Sequence, residues 1–224
     1  MNFLSHFYFD RNCNDAYQVL GSVMPDLLRN ADKEALIKPE RLPAQTDPTI
    51  CSLILGWKKH LEIDRHFHSS DFFKHHAHQL KLLLTPAVAG SAVKPFFLGH
   101  IALELILDNL LLTTHTVFAD DFYDHLKNAE EANIRAFLEL NGVDPQKFLS
   151  FYTLFINEKY LYSYIELNSV VYALKGVCKR IWKDPFTKHQ EEAVSEVVKY
   201  YINLLATDFM QVFWEMDDLL MEAS

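Results

Sequence analysis

The chain has 224 residues, with a hydrophobic fraction of 50%, a charged fraction of 23% and a formal net charge of −9. This composition is typical of a globular protein and excludes a disordered chain. The acidic balance argues against a protein that binds nucleic acid through its phosphates. With only 6 glycines and 8 prolines, the chain lacks the turn residues that a fold of many short strands needs, so its composition favours helices.

Apolar residues recur at intervals of three and four along most of the chain, which predicts α-helices. The predicted helical segments, in chain order, cover residues 2–9, 14–29, 48–68, 71–84, 93–114, 120–140 (shorter helices), 145–157, 158–182 and 187–220. Asn14 is a candidate N-cap, and the step from Asp47 to Pro48 is typical of a helix start. Residues 30–48 contain three prolines and are predicted to form a surface loop. No linker or internal repeat divides the chain, so we predict one all-α domain over residues 1–224.

The sequence also predicts a cellular compartment. The three cysteines are widely spaced and form no CxxC pair, so we expect reduced thiols in the cytoplasm rather than disulfides or a zinc ribbon. The N-terminal residues lack the pattern of a secretion signal. The most apolar run, residues 96–112, contains His100, Glu104 and Asp108, whose ionisable groups are costly in lipid. We therefore expect no integral membrane segment.

One predicted helix carries metal-type ligands at helical spacing. In the segment GWKKHLEIDRHFH, His60, Asp64 and His68 follow one another at intervals of four residues. Residues at this spacing lie on one face of a helix, one turn apart. The three side chains therefore form a stripe.

A second stripe repeats the pattern in the segment FLGHIALELILDNLLL, where His100, Glu104 and Asp108 are also four residues apart. The surroundings of this stripe are almost wholly apolar. Because an unpaired charge is costly to bury, these groups need partners. A metal ion shared with the first stripe would supply one.

A looser third element consists of His6 in the N-terminal segment and Asp26 near the end of the second predicted helix. Imidazole and carboxylate together bind manganese, iron, zinc or nickel. Such ions lower the pKa of a bound water and polarise a phosphoryl oxygen. Arg29 lies one turn after Asp26 and could hold a phosphate oxygen through two hydrogen bonds.

The alternative interpretation is structural. A single His or Asp on a helix is more often a hydrogen-bonded residue than a ligand, and it is the two stripes together that favour a metal site. The remaining histidines are predicted to be surface residues: His66, His75, His76, His78, His115, His125 and His189. No GxSxG, glycine-rich phosphate loop or GxGxxG motif offers a competing catalytic pattern.

Several segments resemble, in order and spacing, those of one enzyme family. The opening MNFLSHFYFD is similar to a family start MNFLAH. The stretch LGSVMPDLLRN is similar to the family's GNLLADFVRG, with matches at Gly21, Asp26 and Arg29. The stretch YLYSYIELNSVVYALKGVCKR is similar to a family segment that ends in G-M-x-x-R.

The two stripes carry the rest of the resemblance. GWKKHLEIDRHFH resembles the family's G-x-x-x-H-R-x-I-D-x-x-T-D, and it matches at Gly56, His60, Ile63 and Asp64. A later family motif, D-x-x-x-D-H-F-L, falls on residues 104–111. Taken together, these segments resemble the acyl carrier protein phosphodiesterases, over residues 1 to about 180.

The chain departs from the family pattern at four of these positions. Leu61 stands where the family has Arg, His68 and Glu104 each stand where it has Asp, and Asn109 stands where it has His. His68 and Glu104 are still groups that can bind a metal. Asp108 matches the second Asp of the later motif.

The resemblance implies a helical fold like that of HD-type phosphohydrolases and a divalent metal, with Mn²⁺ the first expectation and Mg²⁺, Fe²⁺ or Zn²⁺ the others. The implied activity is hydrolysis of the phosphodiester between phosphopantetheine and the serine of holo acyl carrier protein, a reaction of fatty acid and lipid metabolism. The expected metal ligands are His6, Asp26, His60, Asp64, His68, His100 and Glu104. Arg29, Asp64 and Asp108 are expected to act in catalysis, and His100, Glu104 and Asp108 could instead orient the ligands.

The implied partner is acyl carrier protein, which is acidic like this chain, so binding needs a local basic patch. The candidate basic residues are Lys58, Lys59 and Arg65 near the first stripe, and Lys175, Lys179, Arg180 and Lys183 later in the chain. They could equally serve only to solubilise helix faces. Two other functions remain open: a related phosphohydrolase acting on a nucleotide or phospholipid, and a non-catalytic binding protein with a degenerate metal site. The oligomeric state is also open.

Overall fold

The computed structural model describes residues 1–222, and most of these are helical, with no β-strand among them. The α-helices are α1 Phe3–Tyr8, α2 Ala16–Ala31, α3 Pro48–Ser69, α4 Asp71–Ala87, α5 Pro95–Thr113, α6 Ala119–Asn128, α7 Glu131–Leu140, α8 Pro145–Glu158, α9 Leu167–Lys179, α10 Lys188–Leu205 and α11 Met210–Glu222. Two 3-10 helices cover Pro39–Arg41 and Tyr160–Ile165. The predicted all-α class is confirmed, whereas the likeness to HD-type phosphohydrolases stays a prediction.

Side-chain caps fix the starts of the two helices that carry most of the candidate site. Oδ1 of Asp47 accepts hydrogen bonds from the backbone N–H groups of Thr49 and Ile50, which agrees with the predicted start of α3. In α2 the cap is Asp15 rather than the predicted Asn14. The Asp15 carboxylate accepts from the N–H groups of Tyr17 and Gln18, so the helix begins one or two residues later than expected.

The predicted helix over 187–220 is wrong, because the chain turns between α10 and α11. The carbonyl oxygen of Leu205 accepts hydrogen bonds from the N–H groups of both Asp208 and Phe209. Phe209 is only 3% exposed, so burial of this aromatic ring holds the turn. The apolar spacing continues on both sides of the turn and therefore gives no sign of it.

The predicted helix over 158–182 is also interrupted. Lys159 adopts φ of 48°, a left-handed conformation that ends α8. Asn109 forms hydrogen bonds with the end of the 3-10 helix that follows. Its Nδ2 donates to the carbonyl oxygen of Tyr164 at 2.6 Å and to that of Ile165 at 3.4 Å. Asn109 therefore has a structural role at the position where the related motif has a histidine.

The helices form two compact units. The first unit contains Met1, residues 65–116 and the residues from 162 onward, and the second contains residues 2–64 and 117–161. Neither unit is a continuous stretch of sequence, and α3 contributes residues to both. The single domain predicted over residues 1–224 stays a prediction.

In the first unit, α5 packs against α4, α9 and α10, and α10 also packs against α4 and α9. Helix α5 is long and apolar enough to cross a membrane by composition alone, but 67% of its apolar window is buried inside the protein. This burial is typical of the core helix of a soluble protein. In the second unit, α2 packs against α1, α6 and α8, and α8 packs against α7.

Candidate functional site

A close approach of α2 and α3 positions the first part of the candidate site. A Cβ added at Gly21 would lie 2.3 Å from the carbonyl oxygen of Leu53, and one added at Gly56 would lie 2.1 Å from that of Gln18. Only glycine fits at either position. The two backbones therefore touch, and His60, one turn after Gly56, is brought against α2.

His60 makes a hydrogen bond that sets its tautomer. Its Nδ1 lies 2.9 Å from the backbone carbonyl oxygen of Ser22. Because a carbonyl oxygen only accepts, Nδ1 must carry a proton. In the neutral ring the lone pair is then on Nε2. Metal-ligating histidines commonly have this arrangement, in which one ring nitrogen binds the ion and the other donates a hydrogen bond to the protein.

The ring of His6 stacks on the ring of His60. Their centroids are 3.9 Å apart and their planes are inclined by 18°. His6 belongs to α1 and is fully buried, and His60 is 4% exposed. The stack brings two imidazoles from distant parts of the sequence into one place.

Two carboxylates lie beside the stacked rings. Asp26, His6 and His60 each offer a ligand atom within 4.8 Å of the other two. Oδ1 of Asp64 lies 3.3 Å from Nε2 of His6, and its Oδ2 lies 3.7 Å from Nε2 of His60. We call these four residues the His6 group. All four belong to the second unit.

The His6 group fits a divalent cation. Both ring nitrogens of His6 are buried and lack a hydrogen-bond partner of good geometry within residues 1–222, although Asp64 is close. A buried polar atom is normally paired, so an Nδ1 with no hydrogen-bond partner in the described part of the chain and an Nε2 with only the 3.3 Å contact to Asp64 indicate that this ring can accept a further partner. Two imidazoles and two carboxylates are the donors that manganese, iron and zinc accept.

The environment keeps the His6 imidazole neutral and the Asp64 carboxylate ionised. Burial, followed by the repulsion of His60, lowers the pKa of His6 from 6.5 to about 4, against the opposing effect of Asp64. Burial acts to raise the pKa of Asp64, but the hydrogen bond with the His6 imidazole, together with nearby positive charge, outweighs it, and this pKa lies below its usual range. At neutral pH both groups are therefore in the protonation state that binds a cation.

The lowered pKa of His6 predicts how the stability of the metal-free protein depends on pH. Between pH 6.5 and about 4 the unfolded chain protonates this histidine and the folded protein does not. The free energy of unfolding therefore keeps its full value above pH 6.5 and falls as the pH drops towards 4. The loss is on the order of 3 kcal/mol at most.

Urea unfolding of the metal-free protein at pH 7 and pH 4.5 measures this effect. The loss of stability on acidification should be about 2 kcal/mol larger in the wild type than in His6→Gln. His76, whose pKa is also lowered to about 4, contributes equally to both proteins. An identical pH dependence in the two proteins would show that His6 does not titrate in this way.

Near the His6 group, one cation is exposed and another is already paired. Arg29 is exposed, one turn after Asp26 on α2. Lys59, which was a candidate for a basic patch, instead donates to Oδ1 of Asp10 and to the carbonyl oxygen of Phe9, both at 2.7 Å. Asp10 is 1% exposed, so Lys59 neutralises a buried carboxylate. Lys175 is likewise paired, with Glu191.

The first unit contains a second cluster of candidate ligands, His68, His100 and Glu104, which we call the His68 group. Nε2 of His68 lies 3.2 Å from Nε2 of His100 and 3.3 Å from Oε1 of Glu104. Nε2 of His100 lies 3.0 Å from the same oxygen. The backbone nitrogen of Met1 is 3.2 Å from this oxygen as well.

Glu104 is held as a carboxylate in this cluster. Its burial acts to raise its pKa, but the Met1 amino group and the imidazoles of His100 and His68 lower the pKa below its usual range. Asp108, one turn further along α5, is fully buried and belongs to neither group of ligands within residues 1–222. The structure thus separates Asp108 from the other members of its stripe.

Several contributors to the site were not found from the sequence. The Ser22 carbonyl is a main-chain group and leaves no sequence signal, whereas Gly56, four residues before His60, could have indicated a close helix approach. Phe73 packs edge-on against both imidazoles of the His68 group, with centroids 4.8 and 4.9 Å away. His76 is not a fully solvated residue, since its Nδ1 lies 2.8 Å from the hydroxyl of Tyr201.

Comparison with known proteins identifies a family. The family model described as acyl carrier protein phosphodiesterase matches residues 1–216 of the chain. No curated protein and no solved structure matches it.

Proposed function

Since the chain belongs to the acyl carrier protein phosphodiesterase family, we propose that it hydrolyses the phosphodiester that joins phosphopantetheine to the serine of holo acyl carrier protein. The observation that carries this proposal is the convergence of His6, Asp26 and His60, whose ligand atoms lie within 4.8 Å of one another, with Asp64 beside them. These residues come from α1, α2 and α3, so folding has assembled a set that no local motif contains.

The His6 group would hold the divalent metal. His6, Asp26, His60 and Asp64 supply two neutral imidazoles and two carboxylates, and Mn²⁺ is the first ion to test, with Mg²⁺, Fe²⁺ and Zn²⁺ after it. When bound, such an ion lowers the pKa of a water and polarises a phosphoryl oxygen. The carboxylates offset the charge of the ion in a largely buried place.

The residues of the chain would have separate tasks. The Ser22 carbonyl fixes the orientation and tautomer of His60. The Asp64 side chain is 33% exposed, so its carboxylate can also accept a hydrogen bond from a solvent water and orient that water towards phosphorus. Arg29, exposed one turn from Asp26, would donate two hydrogen bonds to the non-bridging phosphoryl oxygens.

Recognition of acyl carrier protein requires exposed positive charge on a chain with a net charge of −9. With Lys59 paired to Asp10, the exposed cations of the second unit on α2 and α3 are Arg29 and Lys58. On α9 and just after it, Lys179, Arg180 and Lys183 are exposed. These cations would attract an acidic partner locally, and the attraction should weaken as salt is added.

Incubation of holo acyl carrier protein with the purified protein and Mn²⁺ tests the function directly. The expected result is loss of the phosphopantetheine mass from the carrier protein, measured by intact-protein mass spectrometry. The control is the same protein stripped of metal by a chelator, which should leave the carrier unchanged.

Two other results would each replace the proposal. Hydrolysis of a generic phosphodiester with an intact holo carrier would indicate a phosphohydrolase that acts on a nucleotide or phospholipid. Metal uptake without hydrolysis of either compound would indicate a binding protein with a degenerate site.

A further inference from the structure

We propose that His68, His100 and Glu104 form a second metal site, selective for a zinc-type divalent ion and with a coordination position open to solvent. This proposal does not rest on the proposed phosphodiesterase activity. Its ligands all lie in the first unit, and they share no residue with the His6 group. The site could therefore be present even if the chain hydrolyses a different ester or none.

The spacing of the three ligand atoms is that of a coordination sphere. The three distances between them are 3.0, 3.2 and 3.3 Å. In a tetrahedral zinc site with bonds of about 2.0–2.1 Å, neighbouring ligand atoms lie about 3.3–3.4 Å apart. A cation can thus contact all three atoms after small side-chain adjustments.

Proton positions provide a second argument. If both Nε2 atoms carry protons, two N–H groups 3.2 Å apart compete for one oxygen, Oε1 of Glu104. If neither does, three lone pairs face one another. If only one does, the other Nε2 still directs its lone pair towards Oε1 at 3.0 or 3.3 Å. The nearby Met1 nitrogen gives Glu104 a positive neighbour but does not remove the conflict between the two histidines. A shared cation satisfies both nitrogens and the oxygen at once.

The donor set indicates which ion is preferred. Two imidazoles and one glutamate are the three protein ligands of a recurrent class of zinc sites in which the fourth position holds water or substrate. Two nitrogen donors in a set of three favour zinc, iron or nickel over magnesium and calcium. The His6 group, with two carboxylates, has a larger share of oxygen donors.

The surroundings hold the ligands in place and leave them accessible. His68 lies on α3, His100 and Glu104 lie on α5, and Phe73 packs against both imidazoles. The side chains of His68, His100 and Glu104 are 33%, 39% and 12% exposed. An ion can reach the site from solvent, and water can occupy its remaining position.

Zinc binding to the full-length protein tests the proposal without an assay of activity. The metal-free protein is dialysed against Zn²⁺ buffered by a competing chelator, and bound zinc is counted by elemental analysis. We use His60→Ala as the background, because it leaves the His6 group with one imidazole and two carboxylates, a set that favours magnesium or manganese over zinc. This variant should keep one zinc equivalent, and His60→Ala/His100→Ala should lose it, with affinity lower by about 100-fold or more.

Matched variants keep the test decisive. His78→Ala, which removes an exposed histidine of α4 in the same unit, should leave zinc uptake unchanged. If the His100 variant fails to fold, as judged by circular dichroism, His68→Asn in the same background replaces it. Co²⁺ bound at the site should absorb visible light with the intensity of a four-coordinate ion.

Full zinc retention in a folded His100 or His68 variant would overturn the proposal, as would the absence of bound zinc in the His60→Ala background. In either case the His68 group would be a hydrogen-bonded cluster and nothing more. A failed carrier-protein assay, in contrast, would leave the zinc count unaffected, so the two proposals fail separately.

Discussion

Replacement of Asp64 by asparagine should lower kcat/KM for holo acyl carrier protein by about 100-fold or more. Changes to groups that merely support a metal ligand cost about 10–100-fold, and Asp64 is proposed to be a ligand itself. Asparagine keeps the shape but removes the negative charge that lies 3.3 Å from His6 and 3.7 Å from His60. The fold should persist, because the Asp64 side chain is one-third exposed and is not part of the apolar core.

The measurement is steady-state hydrolysis of holo acyl carrier protein, together with the thermal midpoint of each variant. Glu62→Gln is the matched control, since it removes a carboxylate two residues away on the same helix and outside the His6 group. It should retain activity within about 3-fold. Wild-type turnover by a folded Asp64→Asn protein would remove Asp64 from the site.

The second large effect concerns stability. Gly56→Ala should destabilise the protein by about 3 kcal/mol, near the upper end of the usual cost of overpacking. The new Cβ would lie 2.1 Å from the carbonyl oxygen of Gln18 and 2.7 Å from the nitrogen of Ser22. Both are main-chain atoms, so relief requires movement of α2 rather than a change of rotamer. For a chain of this length we expect Tm to fall by roughly 6–12 °C.

The same substitution at another helical glycine provides the control. A Cβ added at Gly176, on α9, meets no atom within 4 Å. Gly176→Ala should therefore stabilise the protein by up to about 1 kcal/mol, because alanine is the better helix former. Scanning calorimetry of both variants measures the contrast. Similar Tm values for Gly56→Ala and the wild type would mean that α2 and α3 do not approach so closely.

The sequence was sufficient to predict those parts of the structure that depend on neighbours in the chain. The start of α3 follows from Asp47 and Pro48, which are local signals. The pairing of His60 with Asp64 follows from the geometry of any helix. The helical class follows from apolar spacing and from the scarcity of glycine and proline.

Other parts depend on contacts between distant residues, and the sequence could not predict them. The turn at 206–209 depends on the burial of Phe209 rather than on a glycine or proline. The sequence predicts that Lys59 is a surface cation, because no local signal indicates its ion pair with the buried Asp10. His100, Glu104 and Asp108 do lie along one face of α5. Their spacing alone, however, could not show that Asp108 is a residue buried in the core rather than a ligand.

The hydrogen bond between His60 and the Ser22 carbonyl determines which substitutions can disturb the orientation of His60. The acceptor is a main-chain carbonyl, and the Ser22 hydroxyl is used elsewhere, since it donates to the carbonyl oxygen of Val19 at 2.8 Å. Loss of the hydroxyl at this buried position, as in Ser22→Ala, therefore leaves the acceptor of His60 in place. The orientation of this imidazole is therefore set by the path of α2, which depends on Gly21 and Gly56, and not by the hydroxyl of the residue that supplies the acceptor.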